Sequence, residues 1–135
     1  MDTCGPFPIL IPQKTAYFWT ILDDASNFGH TSLLAAKSDA FPAYRAVEAS
    51  WELKSGCQVH VICCDGAKEL IEGDFGNYLT MCSIMQQITA PYAHSQNGKA
   101  ECYIHTLEDG TQTLLADSGL PPSFWGDAIL TIQYL

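Results

Sequence analysis

The spacing of apolar and polar residues divides the chain into five extended segments and four helices. Lys14 to Leu22 gathers Tyr17, Phe18, Trp19, Thr20 and Ile21, the aromatic and β-branched residues that suit a strand. The polar run Asp23 to Gly29 follows and leads into His30–Ala36, which predicts a hairpin. Residues 2–5 are short and extended, and Gly5-Pro6 and Pro8 break the run. Three successive strands at the start predict an antiparallel meander.

Beyond the meander the period changes from two to about 3.6. Ser38 is a candidate N-cap for a helix from Asp39 to Lys54, with Pro42 in its first turn. Phe41, Tyr44, Val47 (or Glu48) and Trp51 recur on one face, and Ser55-Gly56 ends the helix. Gln58 to Cys64 is a β-branched run of the length and apolarity of a central strand. Residues 66–74 read as a glycine- and acid-rich loop, Phe75–Met81 as a short helix and Met85–Thr89 as a fifth strand. Pro91–Gln96 reads as loop. Asn97 then caps a helix to Asp117 with Ala100, Ile104, Leu107, Leu114 and Leu115 on its inner face. Gly110 should weaken that helix by about 1 kcal/mol relative to alanine, and Gly119 stops it. Pro121-Pro122-Ser123 opens a last helix with Phe124, Trp125, Ile129, Leu130 and Ile132. Strands followed by helix–strand alternation predict an α/β fold with a five-stranded mixed sheet, its first three strands antiparallel, and helices on both faces.

A length of 135 residues predicts a single domain, and 47% apolar residues suffice for a core. No apolar run reaches the roughly 20 residues of a membrane span. The start, Met1-Asp2-Thr3-Cys4, lacks the features of a signal peptide, so an intracellular location with free thiols is expected. The six cysteines, at 4, 57, 63, 64, 82 and 102, include no CxxC pair, which speaks against zinc. Cys63 and Cys64 point to opposite faces of a strand and cannot jointly clamp a metal. The formal charge is −9, with fifteen acids against six Lys and Arg, among them the single arginine Arg45. Such a balance lacks the basic footprint of a protein that grips phosphates tightly. Clustered carboxylates, in contrast, favour metal binding.

Three acids stand out. Asp65 ends the apolar run Ile62-Cys63-Cys64 and precedes Gly66, the strand-end position where ligands collect in open α/β sheets. Glu101 lies 35 residues further on, in the first turn of the long helix. Asp2 adds a third acid in an extended setting. Aspartates on strand ends and a glutamate on a helix can converge on a hard cation such as magnesium, which takes oxygen ligands. Asp23 and Asp24 read as hairpin-turn residues, and Glu69 and Asp74 as solvated loop acids.

These residues carry a likeness. Asp2-Thr3-Cys4-Gly5-Pro6 resembles a D-x-C-G-P opening, and Phe18 to Ser26 an F-x-T-x-x-D-D-x-S hairpin. Lys37-Ser38-Asp39-Ala40-Phe41 resembles K-S-E-A-F. Thr89 to Glu101 resembles T-x-P-Y-x-x-x-Q-N-G-x-A-E, and Leu120 to Trp125 resembles L-P-x-x-F-W. With the D…D-35-E spacing, the chain resembles the ribonuclease-H-like catalytic core of retroviral-type integrases, in particular that of copia-type LTR retrotransposons. The resemblance implies one integrase catalytic core over residues 1–135, truncated at both ends. It implies that Asp2, Asp65 and Glu101 are catalytic and hold two magnesium or manganese ions. The reaction would be 3′-end processing and strand transfer of retrotransposon DNA by a nucleotidyltransferase with endonuclease activity. Gln96, Asn97, Lys99 and His105 would lie on the DNA, double-stranded element ends and target. A nuclear location and self-association as a homo-oligomer follow from the same resemblance.

The departures share a character. Where the family is usually basic, this chain has Cys63, Cys102 and His105, and Cys82-Ser83-Ile84 replaces R-G-I. Arginine to cysteine or histidine and glycine to serine are single C→T or G→A changes, as cytosine deamination leaves them. The expectation is retained metal binding with weakened DNA binding. An alternative follows: a degenerate, catalytically inactive remnant that acts at most as a binding or self-association module.

Overall fold

The structure, a computed structural model, describes residues 1–9, 11, 14–64, 73–88 and 94–135, with the backbone alone for 94–97. Three strands open the fold: β1 (Asp2–Cys4), β2 (Tyr17–Leu22) and β3 (Gly29–Leu34). They pair antiparallel in the order β1-β2-β3, with Asp2 opposite Thr20 and Leu22 opposite Gly29. The expected meander is therefore present. β2 starts at Tyr17 and not at Lys14, because Lys14 has φ 59° and its N–H closes a turn on the Ile11 carbonyl at 2.8 Å. Asn27, at φ 58°, takes the left-handed position of the hairpin turn.

A 3-10 turn, Lys37–Asp39, leads into α1 (Ala40–Ser55). The expected cap, Ser38, lies inside this turn. The Asp39 carboxylate instead accepts the Ala36 N–H at 2.9 Å. Gly56 ends α1 in the left-handed conformation, φ 70°. β4 (Val61–Cys64) and β5 (Met85–Ile88) pair parallel, joined by a crossover that includes α2 (Gly73–Met81). α3 (His94–Ser118) already includes residues 94–96, which the sequence placed in a loop, and Asn97 is inside it and not at its cap. A 3-10 turn, Pro122–Phe124, precedes α4 (Trp125–Ile132).

The strands form a three-stranded antiparallel sheet and a two-stranded parallel pair, where the sequence predicted one five-stranded sheet. β1, three residues long, pairs with β2, and no ladder between β1 and β4 is found among the described residues. The Met1 amino group donates to the Cys63 carbonyl at 2.8 Å and links the two units there.

Helices cover both faces, as the alternation predicted. Phe18 and Trp19 are adjacent on β2, project to opposite sides, and are each 0% exposed. Trp19 packs with Tyr44 and Val47 of α1, Phe75 and Leu79 of α2, and Ile62 and Cys64 of β4. Phe18 packs with Ile104 and Leu107 of α3 and with Trp125 and Ile129 of α4. Each of these large apolar side chains contributes roughly 1.5–3 kcal/mol on burial. Val47 and Glu48 are both buried on α1. The Glu48 carboxylate accepts the Tyr44 hydroxyl at 2.6 Å and the Tyr78 hydroxyl at 2.5 Å. Burial first, then this carboxylate, holds the Tyr44 phenol above its ordinary range. For Tyr78 the hydrogen bond to Glu48 is the leading cause of the same upward shift.

Two glycines mark close approaches. A Cβ on Gly110 would come 2.8 Å from the Ile132 Cγ2, so this residue brings α4 onto α3 and is more than a weak point in a helix. A Cβ on Gly29 would enter the ring of Tyr103, which lies across the end of β3. Gly29→Ala should therefore cost about 1–3 kcal/mol through overpacking. The readout is a lower urea midpoint at unchanged slope. An unchanged midpoint would show that Tyr103 does not lie against this strand.

Candidate active site

The long helix α3 is aligned with β1 by two polar contacts. Near its start, Lys99 Nζ meets Asp24 Oδ1 at 2.7 Å and donates to the Asp24 carbonyl at 2.8 Å. Asp24 follows directly on the end of β2, so this contact ties the first turns of the helix to the hairpin. Further along, the Cys4 thiol donates to Glu108 Oε1 at 3.3 Å. Going from Lys99 to Glu108 along α3 thus runs in the same direction as β1.

This alignment places two of the predicted acids. Asp2 and Cys4 are two residues apart on a strand and share a face. Glu101 and Glu108 are two turns apart on a helix and share a face as well. With Cys4 on Glu108, Asp2 and Glu101 lie at the same end of the β1–α3 contact, both half-buried. The Asp2 carboxylate accepts the Thr3 N–H at 2.7 Å, which restrains its rotamer. The bond from Met1 to Cys63 brings the end of β4 beside the same point. β4 closes at Cys64, the residue before Asp65. Asp65 itself lies outside the described residues. Among the described residues no group of three His, Cys, Asp or Glu side chains is arranged to hold a metal. Asp2 and Glu101 carry carboxylates, the hard oxygen ligands that magnesium and manganese prefer.

The expected DNA contacts divide. Gln96 and Asn97 lie in the first turn of α3, with side chains outside the described set. Lys99 is engaged by Asp24. His105 is exposed, 3.8 Å from Glu108 Oε2. Cys102 is exposed on the same outer side of the helix.

Asp23 and Asp24 serve the hairpin, as their setting suggested. The Asp23 carboxylate accepts the Ser26 hydroxyl at 2.5 Å and the Ser26 N–H at 2.8 Å, and these bonds hold it below the usual carboxylate range. Glu108 is the residue that sequence reasoning missed. Its spacing of seven from Glu101 was the available signal, since that spacing repeats a helix face. A cleft of 1130 Å³ opens on the hairpin side, lined by Met1, Asp24, Lys99 and Ala100 together with Glu48 and Trp51 of α1.

Cys4 is chemically quiet. Burial pushes its thiol up to about 12, with the hydrogen bond and charge of Glu108 adding to the shift. It therefore stays a neutral donor at ordinary pH. An aromatic disulfide reagent at about pH 8 should label the exposed Cys57, Cys82 and Cys102 in the folded protein and leave Cys4 and Cys64 until unfolding. Rapid labelling of Cys4 would contradict its contact with Glu108.

No family model matches the sequence. The Retrovirus-related Pol polyprotein from transposon TNT 1-94 of Nicotiana tabacum is 31% identical to it over 134 residues. That match takes in 99% of this chain and 10% of the polyprotein, so the chain spans about one tenth of its relative's length. Among solved structures, a chain of the simian T-cell lymphotropic virus intasome in complex with PP2A regulatory subunit B56 gamma shares the fold. The TM-score is 0.74 at 15% identity, over 98% of this chain and 46% of that one.

Proposed function

We propose that this chain, whose likeness to the integrase core of copia-type elements is now carried by a Pol relative as well as by its motifs, is a metal-dependent polynucleotidyl transferase core acting on DNA. The observation that supports this most is the alignment of β1, which carries Asp2, with α3, which carries Glu101. In this reading the five strands act as one ribonuclease-H-like sheet, with Met1 and Cys63 at the joint.

Asp2, Asp65 and Glu101 would hold two magnesium or manganese ions. Such ions, when bound, supply activation of the attacking oxygen and stabilisation of the leaving oxygen in a phosphodiester displacement. The chain's own part is positioning. Thr3 N–H fixes the Asp2 carboxylate, and α3 carries Glu101 as a rigid rod whose inner face is packed by Ala100, Ile104 and Leu107. Gln96, Asn97, Lys99 and His105 would line the DNA path. Water as nucleophile would trim a 3′ end, and a 3′-hydroxyl would join one DNA to another. Neither reaction needs a covalent bond to the protein, which suits a site without an activated serine or cysteine. Chromosomal DNA as target implies work in the nucleus.

A second reading has its own observation. Lys99 is spent on Asp24, and the positions after Glu101 on the outer side of α3 are Cys102 and His105. With a formal charge of −9, few cations remain for phosphates. The chain would then be a folded remnant that binds metal, or associates with itself, without turnover.

Titration with magnesium or manganese, followed by thermal unfolding, separates the cases in part. An ion that binds only the folded state stabilises by about 1.4 kcal/mol at ten times its Kd. Wild type should gain this and Asp65→Asn should not. Metal-dependent nicking or strand transfer on a short element-end duplex, absent in Asp65→Asn, then establishes the enzyme. Equal behaviour of the two proteins in both assays would eliminate the catalytic reading.

A further inference from the structure

Lys99 and Tyr103 both hold α3 to the hairpin of β2 and β3, the first through Asp24 and the second by lying on Gly29. Glu108 acts elsewhere. Its Oε1 accepts the Cys4 thiol at 3.3 Å, and Cys4 belongs to β1, the strand that carries Asp2.

The helix period decides what this contact does. Seven residues bring an α-helix back to within about 20° of the same direction. Glu108 therefore faces the same way as Glu101, and a contact that aims one of them at β1 aims the other. Along the axis the two glutamates are about 10.5 Å apart. Asp2 and Cys4 share a face of β1 about 7 Å apart. The difference of about 4 Å is comparable to the length of an acidic side chain. Cys4 pairs with Phe18 across the β1–β2 ladder and packs against the cluster of Phe18, Ile104 and Leu107, which shields its contact with Glu108. The other oxygen of Glu108 lies 3.8 Å from His105 Nδ1, so the carboxylate is approached from β1 and from its own helix. Burial, with the hydrogen bond and charge of Glu108, pushes the Cys4 thiol up to about 12, so it keeps its proton for this bond.

We propose that Glu108 is a positioning residue, which acts through the Cys4 thiol to set the direction and spacing of Glu101 on α3 relative to Asp2 on β1. The inference rests on the proposed ion-binding role of these two acids and adds the residue that holds them in register. Acceptance of a hydrogen bond, not negative charge, is the property required. A glutamine at this position can accept the thiol through its amide oxygen, and a leucine cannot.

The test compares the full chain with Glu108→Gln and Glu108→Leu, and with Cys4→Ala, which removes the bond from its other end. Manganese titration followed by thermal unfolding gives the Kd of each protein. Glu108→Leu and Cys4→Ala should weaken the ion roughly tenfold, as loss of a group that orients metal ligands does. Glu108→Gln should stay close to the parent. Leucine is a strong helix former, so Glu108→Leu keeps α3 intact. Lower unfolding temperatures with an unchanged Kd would reduce Glu108 to a structural role and overturn the proposal. So would a loss in Glu108→Gln as large as that in Glu108→Leu, because charge would then be the cause. No ion response in the parent would overturn the ion-binding reading and this inference together, whereas one Kd shared by parent and variants would overturn this inference alone.

Discussion

Phe18 and Trp19 are neighbours on one strand, and both are withdrawn completely from water. Because successive strand residues point to opposite faces, this pair obliges the protein to cover both sides of β2. α1 and α2 close over Trp19, and α3 and α4 close over Phe18. The two clusters lie on opposite sides of β2, so the thickness of the domain is set by one strand with a helical layer on each side. The rest of the architecture follows from this demand. α3 must lie along β1 and β2 to cover Phe18, and in doing so it carries Glu101 past Asp2.

The placement of the site is therefore a consequence of core packing, refined by a few polar ties. The Lys99–Asp24 pair is well exposed at both ends and is worth little as stability, on the order of 0–1 kcal/mol. Its effect is geometric, since it matches the first turns of α3 to the hairpin. The contact of Cys4 with Glu108 adds a second reference point a few turns on. Two points are enough to set the slide of a helix along a strand. Gly29 and Gly110 permit the approach, the first under Tyr103 and the second under Ile132.

The elements were legible in the sequence where their signal was local and periodic. The aromatic run of β2, the stripe Phe41, Tyr44, Val47 and Trp51 of α1, and the parallel strands around the α2 crossover all read correctly from spacing. What escaped were choices between local rivals and contacts at long separation. Ser38 and Asp39 are both good capping residues, and only the turn geometry selects the Asp39 carboxylate. Lys14 belongs to a run of strand-like composition, yet a turn on Ile11 removes it. Glu48 is a charged residue in an apolar stripe, and its burial depends on Tyr78, thirty residues away, as a second donor. Of the candidate site, the acids Asp2 and Glu101 were visible through their flanking residues. Glu108 was not, because its partner Cys4 is 104 residues distant.

Charge distribution connects the fold to the question of activity. The single arginine, Arg45, stacks over the Tyr78 ring at 5.1 Å, on the α1–α2 side of the sheet. It therefore supports the face opposite to the one that holds Asp2 and Glu101. Lys99, two residues before Glu101, already serves Asp24. Asp2 and Glu101 bring two carboxylates to this side of the sheet, and carboxylates are ligands that suit a hard divalent ion. A DNA strand approaching the same place meets a chain of formal charge −9, which opposes it. The proposed metal-dependent reaction would thus find its two requirements treated unequally by the same surface. Bound divalent ions would themselves lessen the repulsion, since each brings two positive charges to the acids. In the proposed reading, metal binding would therefore precede DNA approach as well as chemistry, with the two steps coupled through charge.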